Sequence, residues 1–251
     1  MAFKVGVIGV GTIGGYLVEQ IKRDKTLSLC FVFDTDKKKV KNFPKRIVAG
    51  SIEEAISKKP GLIVESASQQ AVADYAPKAL RSCDMLILSV GALARKQTEC
   101  AIKSACAKTG NRLFVPSGSI IGIDGIRAMR RQLRSVQMTT RKPPKSLGRS
   151  DKTEKVLYSG SARKACALFP KSVNISATVS LNGIGFDRTK IKVVSDPKVN
   201  VNVHTVRAEG SFGGFFVRVE GKPSKNPSTS STAAISAFDL IKQVQNGINL
   251  F

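Results

Sequence analysis

A glycine triplet constrains this chain more than any other feature. Gly9-Val10-Gly11-Thr12-Ile13-Gly14 follows the β-branched run Phe3 to Ile8 and opens a segment, Thr12 to Arg23, whose apolar residues Ile13, Leu17 and Ile21 recur at helical spacing. The spacing predicts a strand, a tight turn and a helix, the setting in which G-x-G-x-x-G carries meaning. Gly9 permits the turn, Gly11 leaves room for a pyrophosphate, and Gly14 lets helix and strand pack closely. The first helical N–H groups, around Thr12 and Ile13, then face the phosphates.

An acid completes the pattern about twenty residues further on. Asp34 ends the second apolar run, Leu27 to Phe33, where a carboxylate accepts hydrogen bonds from the adenosine ribose. Asp36 is a second candidate. This favours NAD as cofactor, while Lys37, Lys38 and Lys39 leave NADP open through a 2′-phosphate.

The rest of the first half alternates strands and helices. Leu62 to Glu65, Met85 to Val90 and Arg112 to Val115 read as strands. Gln69 to Arg81 and Thr98 to Thr109 read as helices, as does a shorter segment from Ser51 to Ser57 with a Ser51/Glu54 capping box. Such alternation predicts an α/β fold, a Rossmann-type doubly wound parallel sheet, with ligands at the carboxyl ends of its strands. Two of those ends, Glu65-Ser66-Ala67-Ser68 and Ser89-Val90-Gly91-Ala92, are made of small residues that admit a nicotinamide ribose. Ala67, Ser68, Ser89, Gly91 and Ala92 therefore join the cofactor-binding candidates.

After Pro116 the texture changes to a second, α+β domain with a small mixed sheet. A helix is expected over Asp124 to Arg134 and a polar loop over Lys142 to Lys155. Strands are expected at Ile191 to Ser195, Val203 to Glu209 and Gly214 to Glu220, the last two as a hairpin. A helix from Ser230 to Val244 is expected to return to the first domain on Ala234, Ala237, Ile241 and Val244. The division is thus 1–116 with 229–251 for the dinucleotide-binding domain and 117–228 for the catalytic and dimerisation domain.

Composition narrows the chemistry. Five cysteines without a CxxC pair and a single histidine argue against a disulfide framework and a metal centre. No apolar run is long enough to span a bilayer. The apolar N-terminus is broken by glycines and followed at once by Glu19, unlike a signal peptide, so a cytoplasmic enzyme is expected. The formal charge is +23, concentrated in Lys37 to Arg46 and Arg127 to Lys164. Such a field draws anions, but scarce aromatics disfavour specific nucleic-acid binding. A dinucleotide and a dicarboxylate are both anions.

His204, in Asn202-Val203-His204-Thr205-Val206, is the histidine available as proton acceptor for oxidation at an amine carbon. Beyond it, many short segments align in order with one known family. They are Glu65 to Ser68 with Gln69-Gln70-Ala71-Val72 and Tyr75; Ser89 to Ala92; Pro116-Ser117-Gly118-Ser119-Ile120; Thr139-Thr140-Arg141-Lys142; Gly160 to Ala162; Phe169-Pro170-Lys171 with Asn174; Asn202 to His204; Gly210-Ser211-Phe212-Gly213; and Asn226-Pro227 with Thr229-Ser230. Together they resemble the L-aspartate dehydrogenases, especially the archaeal type, over nearly the whole chain.

The resemblance implies oxidation of L-aspartate with NAD or NADP to iminoaspartate, which hydrolyses to oxaloacetate and ammonia or feeds NAD biosynthesis. It implies that His204 is the active-site histidine and that Ser119 and Asn174 contact the cofactor. Ser119 departs from the alanine usual there, and Ile121 from a glycine. Arg141 and Lys142 are candidates for gripping carboxylates, and Ser117 and Asn202 for further substrate contacts. Homoserine dehydrogenase and dihydrodipicolinate reductase types share the architecture and are the nearest alternatives; a non-catalytic NAD sensor or nucleic-acid binder is the distant one. A homodimer is expected through exposed sheet of the second domain.

Overall fold

Phe3–Ile8 forms β1, and Thr12–Arg23 forms α1 directly after the glycine turn. The computed structural model describes residues 2–170, 173–221 and 231–247. Lys171 and the segment from Asn226 to Ser230, with the expected domain boundary after 228, lie outside those residues. The chain divides into two compact units, 1–116 with 234–250 and 117–233 with 251.

In the first unit, β2 (Leu27–Phe33), a short α2 (Lys37–Val40) and α3 (Ile52–Ser57) follow. Then come β3 (Leu62–Glu65), α4 (Gln69–Ala79), β4 (Asp84–Ile87), α5 (Lys96–Thr109) and β5 (Leu113–Phe114). The sheet is parallel in the order β2-β1-β3-β4-β5, with Ile8 paired to Phe33 on one side and to Glu65 on the other. The chain therefore winds outward from β1 in one direction and then in the other, so the strand order reverses beside β1. This is the doubly wound parallel sheet expected from the sequence.

The core of this unit is apolar. Val5, Val7, Leu17, Ile21, Val32, Leu62, Val64 and Leu86 pack in one cluster with Ala237, Ile241 and Val244. The expected C-terminal helix thus runs over Ser231–Asn246 and lays its apolar stripe on this sheet. Ser51 Oγ accepts from the Glu54 N–H at 3.1 Å, and Glu54 answers by accepting from Gly50 N–H at 2.7 Å, one residue earlier than in a standard capping box.

One expected strand is shorter than its apolar run. β4 stops at Ile87 because β5 offers only Leu113 and Phe114 as partners, opposite Met85 and Leu86. The remaining apolar residues, Val90–Ala94, wind into a buried 3-10 turn. Continuous apolar runs do not separate these two outcomes.

The second unit begins with α6 (Ile123–Ala128) and β6 (Leu133–Lys142), then β7 (Lys155–Ser161), α7 (Ala162–Leu168) and α8 (Asn174–Asn182). It continues with β8 (Lys190–Ser195), β9 (Asn202–Gly210) and β10 (Gly213–Gly221); α9 is the helix Ser231–Asn246. The helix expected over Asp124 to Arg134 ends at Ala128. Beyond it Leu133, Val136, Met138, Thr140 and Lys142 are buried on the strand β6, an alternation half-hidden by the arginines around it. β7 also had no expectation attached to it.

The sheet accordingly has five strands, in the order β10-β9-β6-β8-β7, and is mixed: β6 and β8 run parallel, and the other neighbours antiparallel. The expected hairpin closes with Gly210 opposite Gly213. A Cβ built on Gly183, just past α8, would meet Ile126 of α6 and Val136 of β6. The helices therefore cover the face of the sheet that carries Val136. Among the described residues no helix is long and apolar enough to cross a membrane, and no group of three potential metal ligands occurs.

Candidate active site

In the first unit the glycine turn is shaped by contacts that only glycine allows. Gly9 has a φ of +85°, and a Cβ there would stand 2.6 Å from Ala67. A Cβ on Gly14 would overlap the Gly9 carbonyl oxygen, so that glycine serves the close packing of helix on strand. Gly11 is different, because a Cβ there would meet nothing within 4 Å. Its missing side chain leaves open space, not a packing contact, as a site for an incoming ligand requires. The first turn of α1, with Thr12 and Ile13, has no side-chain cap and no acidic residue. Its N–H groups are thus free to meet an anion. These features fit a dinucleotide pyrophosphate.

Asp34 stands where the fingerprint requires, at the carboxyl end of β2, and also supports the turn. Its Oδ2 accepts from Val10 N–H at 2.8 Å and its Oδ1 from Asp36 N–H at 2.9 Å, with Lys39 Nζ at 3.6 Å. Each oxygen keeps a second lone pair for a ribose hydroxyl. Asp36 is occupied differently, accepting from Lys38 N–H to cap α2.

The strand-end candidates separate into two groups. Ala67 and Ser68 are exposed, whereas Ser89, Gly91 and Ala92 are buried. Joining them is Glu65, fully buried, which accepts from Ala67 N–H, Ser68 N–H, Ser89 N–H and the Ser89 hydroxyl. Burial pushes its carboxyl pKa up, against the pull of these donors. No role had been assigned to Glu65 from the sequence. The available signal was an acid closing the otherwise apolar strand Leu62-Ile63-Val64.

In the second unit, pleating sorts the candidates by face. Thr140 pairs with His204 across β6 and β9, and Thr140 Oγ1 lies 3.2 Å from His204 Nδ1. Lys142 and Asn202, each two residues away on its own strand, project to the same face, which is the covered one. All four side chains are buried, His204 to 4% exposure and Lys142 to 2%. Burial lowers the His204 pKa to about 3, helped by the nearby Lys142 charge, and burial lowers that of Lys142 to about 8. Asn202 Oδ1 is buried without a hydrogen-bond partner among the described residues. Thr140 is a second residue given no role by the sequence, where it appears only within the segment Thr139-Thr140-Arg141-Lys142; its signal is the place opposite His204.

Arg141 does not join this cluster. It projects to the opposite face, where its guanidinium is held by Glu154 at 2.6 Å and by Asp196. The grip on carboxylates foreseen for it is thus exerted on two residues of the chain itself. Ser117 and Ser119 sit on the turn before α6, the first exposed and the second half-buried, and Asn174 opens α8. Ile121, next to them, is 71% exposed.

Comparison with known proteins assigns both units. Residues 124–244 match the family described as aspartate dehydrogenase, C-terminal, and residues 9–116 match the homoserine dehydrogenase NAD binding domain. The L-aspartate dehydrogenase of Methanosarcina mazei is 38% identical, with 98% of each chain covered. The chain belongs to the L-aspartate dehydrogenase family. Within that family it is also 33% identical to the L-aspartate dehydrogenase of Nitrosopumilus maritimus, over 96% of each chain. The crystal structure of aspartate dehydrogenase from Thermotoga maritima superposes with a TM-score of 0.79 at 25% identity, covering 100% of this chain and 99% of that one. The NAD binding match thus covers the half that holds the glycine fingerprint, and the aspartate dehydrogenase match covers the half that follows it.

Proposed function

We propose that the protein oxidises L-aspartate to iminoaspartate, with NAD as hydride acceptor, and that oxaloacetate and ammonia follow on hydrolysis. The observation that carries this reading is the polar cluster on the covered face of the second sheet. His204, Thr140, Lys142 and Asn202 crowd a covered face they share with apolar Val136, Met138, Val206 and Ala208, and burying such groups is costly unless they serve a site. The family relationship names the substrate.

The chemistry asked of these residues is limited and balanced. The α-ammonium of aspartate must lose a proton before the nitrogen lone pair can form the C=N bond. The bound nicotinamide supplies the acceptor for the hydride that leaves Cα. His204 takes the proton: its low pKa keeps the ring neutral, and Thr140 engages Nδ1 so that Nε2 is the open nitrogen. Asn202 Oδ1, lacking a partner among the described residues, is an acceptor for an ammonium N–H. Lys142, rather than Arg141, is the cation on this face and holds a substrate carboxylate.

For the cofactor, Gly9, Gly11, Thr12, Ile13 and Gly14 receive the pyrophosphate and Asp34 the ribose. Ala67 and Ser68 border the nicotinamide end, with Ser89, Gly91 and Ala92 behind them. Ser119 and Asn174 as further cofactor contacts, and Ser117 as a substrate contact, rest on the family resemblance. NADP use remains compatible through Lys39 beside Asp34.

The free cysteines suit a reducing cytoplasm, and iminoaspartate suits a role in NAD biosynthesis. The uncovered face of the second sheet exposes Phe216 at 62%, which suits a homodimer; light scattering in solution measures that state.

The deciding experiment follows the near-ultraviolet absorbance of reduced nicotinamide with L-aspartate and NAD, then NADP, for wild type and His204→Ala. Aspartate-dependent reduction that the variant loses is the expected result. Reduction with homoserine but not aspartate, or full turnover by His204→Ala, would overturn the substrate or the base respectively.

A further inference from the structure

At the carboxyl ends of β3 and β4, one carboxylate gathers four donors. Glu65 is the last residue of β3 and is fully buried. Its Oε1 accepts from the N–H groups of Ala67 and Ser68 and from the Ser89 hydroxyl, each at 2.8 Å. Its Oε2 accepts from the Ser89 N–H at 3.1 Å. Ala67 and Ser68 lead from β3 into α4, and Ser89 leads from β4 into the 3-10 turn Val90–Ala94. One side chain thus ties together two loops that are otherwise independent in sequence.

Two neighbouring bonds extend the arrangement. Ser66 Oγ donates to the Gly9 carbonyl at 2.8 Å, and Ser68 Oγ accepts from Ala71 N–H at 3.1 Å to cap α4. The loop that Glu65 organises is therefore anchored at one end to the glycine turn and at the other to a helix. A buried carboxylate is a costly way to close a strand, because it must be taken out of water. An apolar residue would fill the same volume without four obligatory donors. What the carboxylate contributes is the geometry of those donors.

The strand order says which part of a dinucleotide that geometry serves. Asp34 marks the adenosine side at β2, and the glycine turn marks the pyrophosphate at β1. The strand ends on the far side of β1 are those of β3 and β4. We propose that Glu65 is the positioning residue for the nicotinamide half of the cofactor site, setting the strand-end loops through Ala67, Ser68 and Ser89. This rests on the cofactor reading given above. It is distinct from the role of Asp34, which acts on the adenosine half.

Glu65→Gln tests the idea with little change in size. The amide places an NH2 donor against at least one of the donors now satisfied, so the β3 and β4 loops must shift. Gly9 N–H keeps its bond to the Phe33 carbonyl and Val10 N–H its bond to Asp34, neither of which involves these loops. The measurement is equilibrium binding of NADH and of ADP-ribose, which lacks the nicotinamide, to the full chain.

The expected result is a rise of about tenfold in the NADH Kd, as for loss of a hydrogen bond to a charged group, with the ADP-ribose Kd changed less than about twofold. Ser89→Ala, which removes one donor, should raise the NADH Kd by about threefold and again spare ADP-ribose. A parallel loss of both ligands, or no change in NADH, would overturn the proposal, because a merely structural carboxylate cannot distinguish the two halves. If Glu65→Gln does not fold, Ser89→Ala decides between these outcomes with the same ligands. A wild-type chain that binds neither ligand would remove the cofactor reading and this proposal together, before any variant is made.

Discussion

Replacing Lys142 by methionine should make the protein more stable and inactive. The ammonium is 2% exposed, and burial holds its pKa at about 8 against an ordinary 10.5. The sign follows from proton binding. Between these two pKa values the unfolded chain holds a proton that the folded chain has released, so wild-type stability rises with pH through that window. Below it both states are charged, and the folded state bears the cost of burying the cation. A shift of this size corresponds to about 3 kcal/mol. Methionine fills a similar volume without a charge, so Lys142→Met should recover about 2 kcal/mol near neutral pH once lost polar contacts are deducted. The assay is urea unfolding of both proteins at about pH 7 and about pH 9.5, where wild type should gain about 2 kcal/mol and the variant nothing from this group. Aspartate turnover should disappear in the variant, with dinucleotide binding retained. A variant that is less stable at neutral pH, or one that keeps the wild-type gain on alkalinisation, would refute the argument that burying a lysine here costs stability and is kept for function.

The remaining predictions address the same two sites. Gly11→Ala should fold with wild-type stability, since its Cβ meets nothing, yet lose dinucleotide affinity; Gly14→Ala should lose both, at a cost of about 2 kcal/mol in stability from overlap with the Gly9 carbonyl. Calorimetry and NADH titration separate the two outcomes. Thr140→Val should lower kcat by about tenfold or more by releasing His204 Nδ1, and destabilise by about 2 kcal/mol through an unsatisfied buried nitrogen. His204, with its pKa held at about 3, resists protonation only in the folded state. Stability should therefore be fully present above the ordinary histidine pKa and fall as pH drops toward 3, a slope that His204→Leu should lack in acid-titration unfolding curves.

The first unit was legible because its signals are local and redundant. Strand, turn and helix around Gly9 to Gly14 each carry their own pattern, and β1, α1 and β2 keep the limits read from the sequence. Errors there were of extent, as where Val90–Ala94 continued an apolar run as a 3-10 turn. The second unit was less legible because its central strand is disguised. β6 alternates buried Val136, Met138 and Thr140 with polar residues, but Arg130 and Arg131 just before it and Arg134 in its second position blur the period. Helix α6 consequently seemed to continue through residues that in fact begin a strand.

With no strand expected between Arg134 and Lys142, Arg141 and Lys142 are equal candidates in the sequence. In a loop, adjacent cations can converge on one ligand. On a strand they cannot, because successive side chains leave on opposite faces. Register then decides their surroundings: Thr140 opposite His204 marks the covered face, and Lys142 falls on it while Arg141 is delivered to Glu154 and Asp196. The stronger carboxylate-binding residue by chemistry is thereby spent on the sheet's outer face, and the weaker one is left beside His204, which is why Lys142 is proposed to hold the substrate carboxylate. The same logic separates Glu65 from Asp34. Both are acids closing parallel strands, yet Asp34 keeps lone pairs for a ligand whereas Glu65, with four donors already bound, can act only through the loops it holds.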